Sequence, residues 1–148
     1  MAKVGRAARV ASRQRVESIS AAKTIQTAET GELYLVDPGS GSYVITLPAL
    51  QDGAYFKFIL KAVVAGGQTL TIQTAPNTVD FKGFLIRQDV ADHTASTNQD
   101  VDAAASGDDK IVFGAAAGIG SYVEVYCDGS NWYANGISHL GTLRFAAT

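Results

Sequence analysis

Short runs of alternating hydrophobic and polar residues follow one another from about residue 30 to the end of the chain. Such runs, rich in β-branched and aromatic residues and separated by Gly, Pro, Asn or Asp, are typical of β-strands. In the run 69–74, Leu70 and Ile72 are predicted to point to one face and Thr71 to the other. The predicted strands lie at 32–36, 43–47, 54–64, 69–74, 78–81 with 83–87, 110–113, 120–136 (a hairpin) and 142–145. Eight or nine short strands predict an all-β domain, either a β-sandwich or a jelly-roll-like fold.

The clearest element is the hairpin at 120–136. Its first strand begins at Tyr122, and Asp128-Gly129-Ser130-Asn131 supplies a turn because Gly and Asn tolerate positive φ. Trp132 and Tyr133 begin the second strand. Aromatic residues at such positions usually fill a core or a subunit interface, so Tyr122, Trp132 and Tyr133 are predicted to do so. The alternative for Trp132 and Tyr133 is an exposed platform that stacks on a sugar or a base.

The N-terminal residues have a different composition. Residues 1–25 show no strand pattern, and a short helix, an extended arm or a disordered tail are all compatible with them. The first 15 residues hold five of the 12 basic residues and none of the 14 acidic ones, so the remaining 133 carry a formal charge of −7 within a net charge of −2. This asymmetry predicts a basic N-terminal arm at 1–27 and a β-sandwich domain at 28–148. The basic residues of the arm are Lys3, Arg6, Arg9, Arg13 and Arg15.

The composition favours a protein that contacts copies or partners. Charged residues make up 18% of the chain, below the usual figure of about 25%. The single cysteine, Cys127, excludes an intrachain disulfide, and its place in a strand predicts a buried thiol. No apolar run approaches the roughly 18 residues of a membrane helix, and no secretory signal is predicted. We therefore expect a protein made in a cytoplasm, with no membrane partner.

Candidate chemistry is sparse. The polar stretch 88–109 contains six aspartates but no EF-hand spacing, so a solvated loop is favoured over a calcium site. The glycine-rich stretch 114–120 lacks the Gly-Lys-Ser/Thr ending of a P-loop. His93 and His139 are the only histidines, and no catalytic triad is recognisable. The sequence predicts no enzyme, no metal site and no cofactor. The basic arm suits phosphates, but the acidic body argues against nucleic acid as the main target.

Three segments carry a resemblance to a known class of proteins. They are Tyr43-Val-Ile-Thr-Leu-Pro48, Asp52-Gly-Ala-Tyr-Phe-Lys-Phe58, and Val123-Glu-Val-Tyr-Cys-Asp-Gly-Ser-Asn-Trp132 with Asn135-Gly136. Together they span roughly residues 30–137, and the pattern resembles structural proteins of tailed bacteriophages. It is similar to the β-domains of head decoration (cement) proteins and of fibre proteins. The long shaft of a complete tail fibre is absent from the sequence.

The resemblance implies a homotrimer without enzymatic activity that belongs to the virion. As a decoration protein, the chain is expected on the head surface, bound to the major capsid protein and stabilising the shell. The basic arm is then the expected anchor, because Arg pairs with carboxylates through a bidentate fork. The expected capsid-binding residues are Lys3, Arg6, Arg9, Arg13 and Arg15.

Two other functions remain open at this point. The first is a fibre or receptor-binding module, which would bind carbohydrate through an exposed apical site. The second is a non-viral β-sandwich that binds carbohydrate or protein, or a hydrolase without a recognisable motif. A capsid-facing anchor favours the decoration protein, whereas an exposed binding site favours the alternatives.

Overall fold

The computed structural model describes residues 14–39, 41–76, 79–88 and 99–148. Within these residues the chain forms two β-sheets and, apart from one short 3-10 helix at Thr27–Glu29, no helix. The strands are β1 Val16–Ile19, β2 Lys23–Thr24, β3 Leu33–Val36, β4 Tyr43–Thr46, β5 Tyr55–Leu60, β6 Leu70–Gln73, β7 Phe81–Gln88, β8 Gln99–Ala103, β9 Asp108–Phe113, β10 Tyr122–Cys127, β11 Trp132–His139 and β12 Leu143–Ala147. The prediction of an all-β, sandwich-like domain is confirmed.

The first six strands alternate between the two sheets. As a result β1, β3 and β5 pair in parallel in one sheet, and β2, β4 and β6 pair in parallel in the other. The hairpin β10–β11 then lies between β5 and β7, with β10 antiparallel to β5 and β11 parallel to β7. The larger sheet has the order β1-β3-β5-β10-β11-β7-β8, and the smaller has the order β12-β9-β6-β4-β2.

The two sheets bury alternate residues against each other in one apolar core. Phe56, Phe58 and Leu60 face inward from β5, and Leu70 and Ile72 face inward from β6. Trp132, which is fully buried, lies with its ring centroid 6.1 Å from that of Phe56. The alternation predicted for 69–74 is therefore confirmed, and every second residue of each long strand points away from the core.

The predicted hairpin is also confirmed, and its turn is held by one carboxylate. Asp128 Oδ1 accepts hydrogen bonds from the backbone N–H of Ser130 at 2.8 Å and of Asn131 at 2.7 Å. Gly129 has φ 84°, in the left-handed region that the turn requires. The second strand is longer than predicted, because it pairs with β7 in parallel along its whole length to His139.

Two predictions about strand content are wrong. Residues 1–25 were expected to hold no strand, yet β1 and β2 lie there and pair with β3 and β4. The sequence signal for these two strands is weak, because only Ile19 and Ile25 are buried in the described part of this segment. Two apolar positions are too few to show the period-two alternation of a strand. The stretch 88–109 was expected to be a loop, yet it contains β8 and the start of β9. The described residues thus form twelve strands rather than eight or nine.

Candidate functional site

The outer face of the seven-stranded sheet, which points away from the smaller sheet, carries a continuous row of apolar side chains. The strand pairings place one residue from each of the seven strands side by side across the sheet. We name this set the apolar row, and its members are Ser18, Leu35, Ile59, Tyr122, Ile137, Ile86 and Val101. The first and last strands place Ser18 and Val101 in exposed positions, and the five residues between them are half-buried. An uncharged row this long is unusual on a surface that faces water.

A second row runs beside the apolar row, two residues further along each strand. We name it the ion-pair row, and its members are Val16, Leu33, Lys57, Glu124, Asn135, Phe84 and Ala103. At its centre, Lys57 Nζ lies 2.7 Å from Glu124 Oε1 and 4.7 Å from the ring centroid of Tyr122. The hydrogen bond from Lys57 holds the pKa of Glu124 below its ordinary value, and the same bond raises the pKa of Lys57. The two charges therefore neutralise each other within the chain.

A third row consists mainly of tyrosines. We name it the tyrosine row, and its members are Tyr55, Tyr126, Tyr133 and Lys82. The ring centroids of Tyr55 and Tyr126 are 5.0 Å apart. The Tyr126 hydroxyl donates to Glu124 Oε2 at 2.9 Å, and the Tyr133 hydroxyl donates to Asp128 Oδ2 at 3.0 Å. These hydrogen bonds hold the rings in place and leave Tyr126 and Tyr133 exposed by 40% and 42%.

The outer face of the smaller sheet is different. Its central strands present Thr46, Thr71, Gln73 and Lys110 to the outside, with Val44 among them. By contrast, most of the large apolar side chains that are exposed in the described part of the chain belong to the three rows of the larger sheet. They are Val16, Phe84, Val101, Tyr126 and Tyr133. The apolar character is therefore specific to one face of the domain.

A cluster of charged residues lies near the N-terminal strands. Carboxylate oxygens of Glu17, Glu29 and Glu32 lie within 4.8 Å of one another. Lys23 Nζ donates to Glu17 Oε2 at 2.5 Å and to Glu29 Oε1 at 2.7 Å, and it lies 5.1 Å from the ring centroid of the buried Tyr34. Burial alone would lower the pKa of Lys23, but the two carboxylates raise it above its ordinary value. The Lys23 ammonium group thus supplies the positive charge that these carboxylates need. Its contacts also link β1, β2 and the 3-10 helix.

Two serines lie beside His139 in the described ranges, and neither is arranged for nucleophilic catalysis. Ser121 is buried, and its hydroxyl accepts a hydrogen bond from the backbone N–H of His139 at 2.9 Å. The Ser138 hydroxyl lies 3.4 Å away and donates to the Leu140 carbonyl at 2.6 Å. These contacts fix the backbone at the end of β11. The hydrogen bond that the Ser138 hydroxyl donates goes to a backbone carbonyl and not to the imidazole.

The structure separates the residues that the sequence singled out. Trp132 is in the core, Tyr122 is half-buried in the apolar row, and Tyr133 is exposed in the tyrosine row. Arg15 is exposed and its carbonyl accepts a hydrogen bond from the backbone N–H of Leu33 at 2.9 Å. The other predicted capsid-binding residues lie outside the described residues: Lys3, Arg6, Arg9 and Arg13. Asp102 of the acidic stretch accepts a hydrogen bond from the Phe145 backbone N–H at 2.5 Å, and so supports the fold.

Sequence reasoning missed the outer face of the larger sheet as a unit. A local signal exists, because Leu33 and Leu35 in β3 and Ile59 in β5 are apolar at positions that alternate with buried residues. Strands that are apolar on both faces indicate a second buried surface. The alignment of these residues across seven strands depends on pairings between distant segments, which the sequence pattern does not contain.

Comparison with known proteins yields no relative. No protein-family model, no curated protein and no solved structure matches this chain. Among the described residues, no helix has the length and apolar character that a membrane crossing requires.

Proposed function

We propose that this chain is a structural protein of a tailed-phage virion, a decoration protein that binds the head shell and stabilises it as a homotrimer. The observation that supports this proposal best is the apolar row on the outside of the domain. A contiguous, largely apolar row that is only half-buried in the single domain suits a surface that a neighbouring subunit covers in an assembly. The resemblance of residues 30–137 to phage virion β-domains points to the same class.

In this proposal the β-sandwich and the N-terminal arm have different roles. The β-sandwich supplies a face that suits contact with copies, and the basic arm supplies an anchor for the major capsid protein. The arm is followed in sequence by β1, which is an edge strand of the larger sheet. Three arms on one trimer would act together, so that weak single contacts give firm attachment. No catalytic residue is required by this function.

The experiment is a binding assay with phage heads assembled without the chain. Purified protein is mixed with these heads, unbound protein is removed by sedimentation, and the bound copies are counted from gel intensities. The proposal expects saturable binding and an increase in the temperature at which the heads open. Absence of binding to the heads, under conditions in which the protein is folded, would contradict it.

A second candidate function is supported by the tyrosine row. Exposed aromatic rings held by hydrogen-bonded hydroxyls, next to Glu124, Asn135 and Lys82, suit the apolar and polar faces of a sugar ring. The chain would then be a receptor-binding module of the virion. A glycan array distinguishes the candidates, because a receptor module binds a defined glycan in a manner that Tyr126→Ala and Tyr133→Ala abolish, and a decoration protein shows no such binding.

A further inference from the structure

The three rows on the outer face of the larger sheet differ in where they carry charge. The ion-pair row contains Lys57 and Glu124, and the tyrosine row contains Lys82. The apolar row, with Ser18 at one end and Val101 at the other, contains no charged residue along its seven strands. This difference matters for an assembly of identical copies, because symmetry decides which residues meet.

We propose that copies of this chain associate through the outer face of the seven-stranded sheet, with the apolar row along the rotation axis. The proposal deepens the proposed function, since it names the contact surface of the expected homo-oligomer and rests on that function for the number of copies. The partner at this surface is a second copy of the same chain.

Symmetry restricts which residues can lie on the rotation axis of a closed ring of identical subunits. A residue on the rotation axis meets its own copy, so a charged residue there would face the same charge. Apolar residues such as Ile59, Ile137 and Ile86 pack against their own copies without such a cost. The row without charge is therefore the one that can lie on the axis, and the strands then run across the axis rather than along it.

The charge balance of the face favours a second copy over a strongly charged partner. Lys57 and Glu124 pair within each chain, so they can be covered together without leaving a single charge unpaired. The side chains of both are already mostly buried, with exposures of 31% and 21%. Apart from Lys82 at its margin, the charge of the face is balanced, so the face offers little attraction to a strongly charged macromolecule and does not repel a copy of itself.

The size of the face is near the lower limit for this partner. Seven strands about 4.8 Å apart and three rows about 6.8 Å apart give a patch of at most roughly 30 by 20 Å, since the tyrosine row covers four of the strands. This is at most roughly 600 Å², against roughly 600–1,000 Å² per partner in a standard interface of two subunits, and in a trimer each copy divides the patch between two neighbours. The face also contains a shallow groove between β7 and β11, which is lined by Phe84, Ile86, Asn135 and Ile137. A side chain of the neighbouring copy would occupy this groove.

The experiment compares two lysine substitutions in the full chain by sedimentation velocity. Ile137→Lys places an ammonium group on the proposed axis, and Thr71→Lys places one at a half-buried position in the centre of the other sheet's outer face. We expect the wild type and Thr71→Lys to sediment as the same oligomer at micromolar concentration. We expect Ile137→Lys to associate at least about 100-fold more weakly, because like charges meet without partners. Circular dichroism shows whether each variant is folded.

A cross-linking experiment tests the same surface without adding charge. Ile59→Cys and Thr71→Cys are each treated with a mild oxidant, and the native Cys127 is buried on the inner face. The proposal expects covalent pairs for Ile59→Cys and none for Thr71→Cys. A monomeric wild type, an Ile137→Lys variant that assembles normally, or failure of Ile59→Cys to cross-link would overturn it. If the wild type still decorates heads in that event, the proposed interface is wrong and the proposed attachment to the head shell stands.

Discussion

Lys57 and Glu124 form an ion pair at the centre of an otherwise largely uncharged sheet face, with 2.7 Å between Nζ and Oε1. They come from neighbouring antiparallel strands and are directly opposite each other in the ladder. The hydroxyl of Tyr126 donates to the second carboxylate oxygen at 2.9 Å. This arrangement gives the face its charge balance, and it also makes the stability of the sheet depend on pH.

The pH dependence follows from the two pKa shifts. The pKa of Glu124 is lowered below 4.5, so its contribution to the free energy of unfolding is present above that value and is lost as pH falls through the folded-state pKa. The pKa of Lys57 is raised above 10.5, so its contribution is lost only as pH rises beyond that value. Between these limits, Lys57→Met should cost about 0.5–1 kcal/mol. Urea unfolding from pH 3 to pH 8 measures the difference.

The same titration contains its control. Lys82→Met changes an exposed lysine on the same face and should alter stability by less than about 0.5 kcal/mol. The difference between wild type and Lys57→Met should shrink as pH falls below 4.5, the ordinary pKa of a glutamate, because Glu124 then takes up protons. A difference that stays constant down to pH 3 would show that the ion pair is not its source.

Trp132 and Tyr133 are neighbours in sequence but lie on opposite faces of β11. Trp132→Ala should lower the free energy of unfolding by about 3–5 kcal/mol, because it leaves a large cavity next to Phe56. Tyr133→Ala should cost less than about 1 kcal/mol, because its ring is exposed and its hydroxyl makes one hydrogen bond. Chemical denaturation of both variants tests the inward and outward assignment. Equal losses for the two would be inconsistent with it.

Gly83 allows β7 to lie against β11. Its φ is 127°, and a Cβ there would overlap the carbonyl oxygen of Ala134. Gly83→Ala should therefore cost at least about 3 kcal/mol, from backbone strain and from displacement of a strand. Gly53→Ala is the matched control, since Gly53 also has positive φ, at 78°, but has open space around it. The free energy of unfolding of Gly53→Ala should fall by only about 1–2 kcal/mol. Thermal melts of the two variants measure the difference between them.

The arm should act in attachment and not in folding. Deletion of residues 1–13 removes Lys3, Arg6, Arg9 and Arg13 but keeps β1, which begins at Val16. The truncated protein should keep its melting temperature and its oligomeric state but bind phage heads at least about tenfold more weakly. Replacement of the three arginines by glutamine is the control for charge, and its effect should decrease as salt rises. Full binding by the truncated protein would move the anchor to the sandwich.

Local sequence patterns predicted much of the fold but little of the candidate site. The hairpin, the burial of Trp132 and Cys127, and the alternation of Leu70 and Ile72 follow from period-two runs and turn residues, and these act over a few positions. The alternation of the chain between two sheets, and the parallel pairing of β1, β3 and β5, arise from contacts between segments far apart in sequence. The apolar row depends on those pairings. In the sequence alone, its members are separate residues with no visible relation to one another.

Immunogold labelling tests directly whether the chain lies on a phage head, as proposed. An antibody raised against the purified chain, coupled to gold, is applied to intact particles of the tailed phage that would encode it under the proposed function, and the particles are viewed by electron microscopy. The proposed function predicts gold over the whole head surface and none on heads assembled without the chain. Gold confined to the tips of tail fibres, or no gold on the particle, would contradict it.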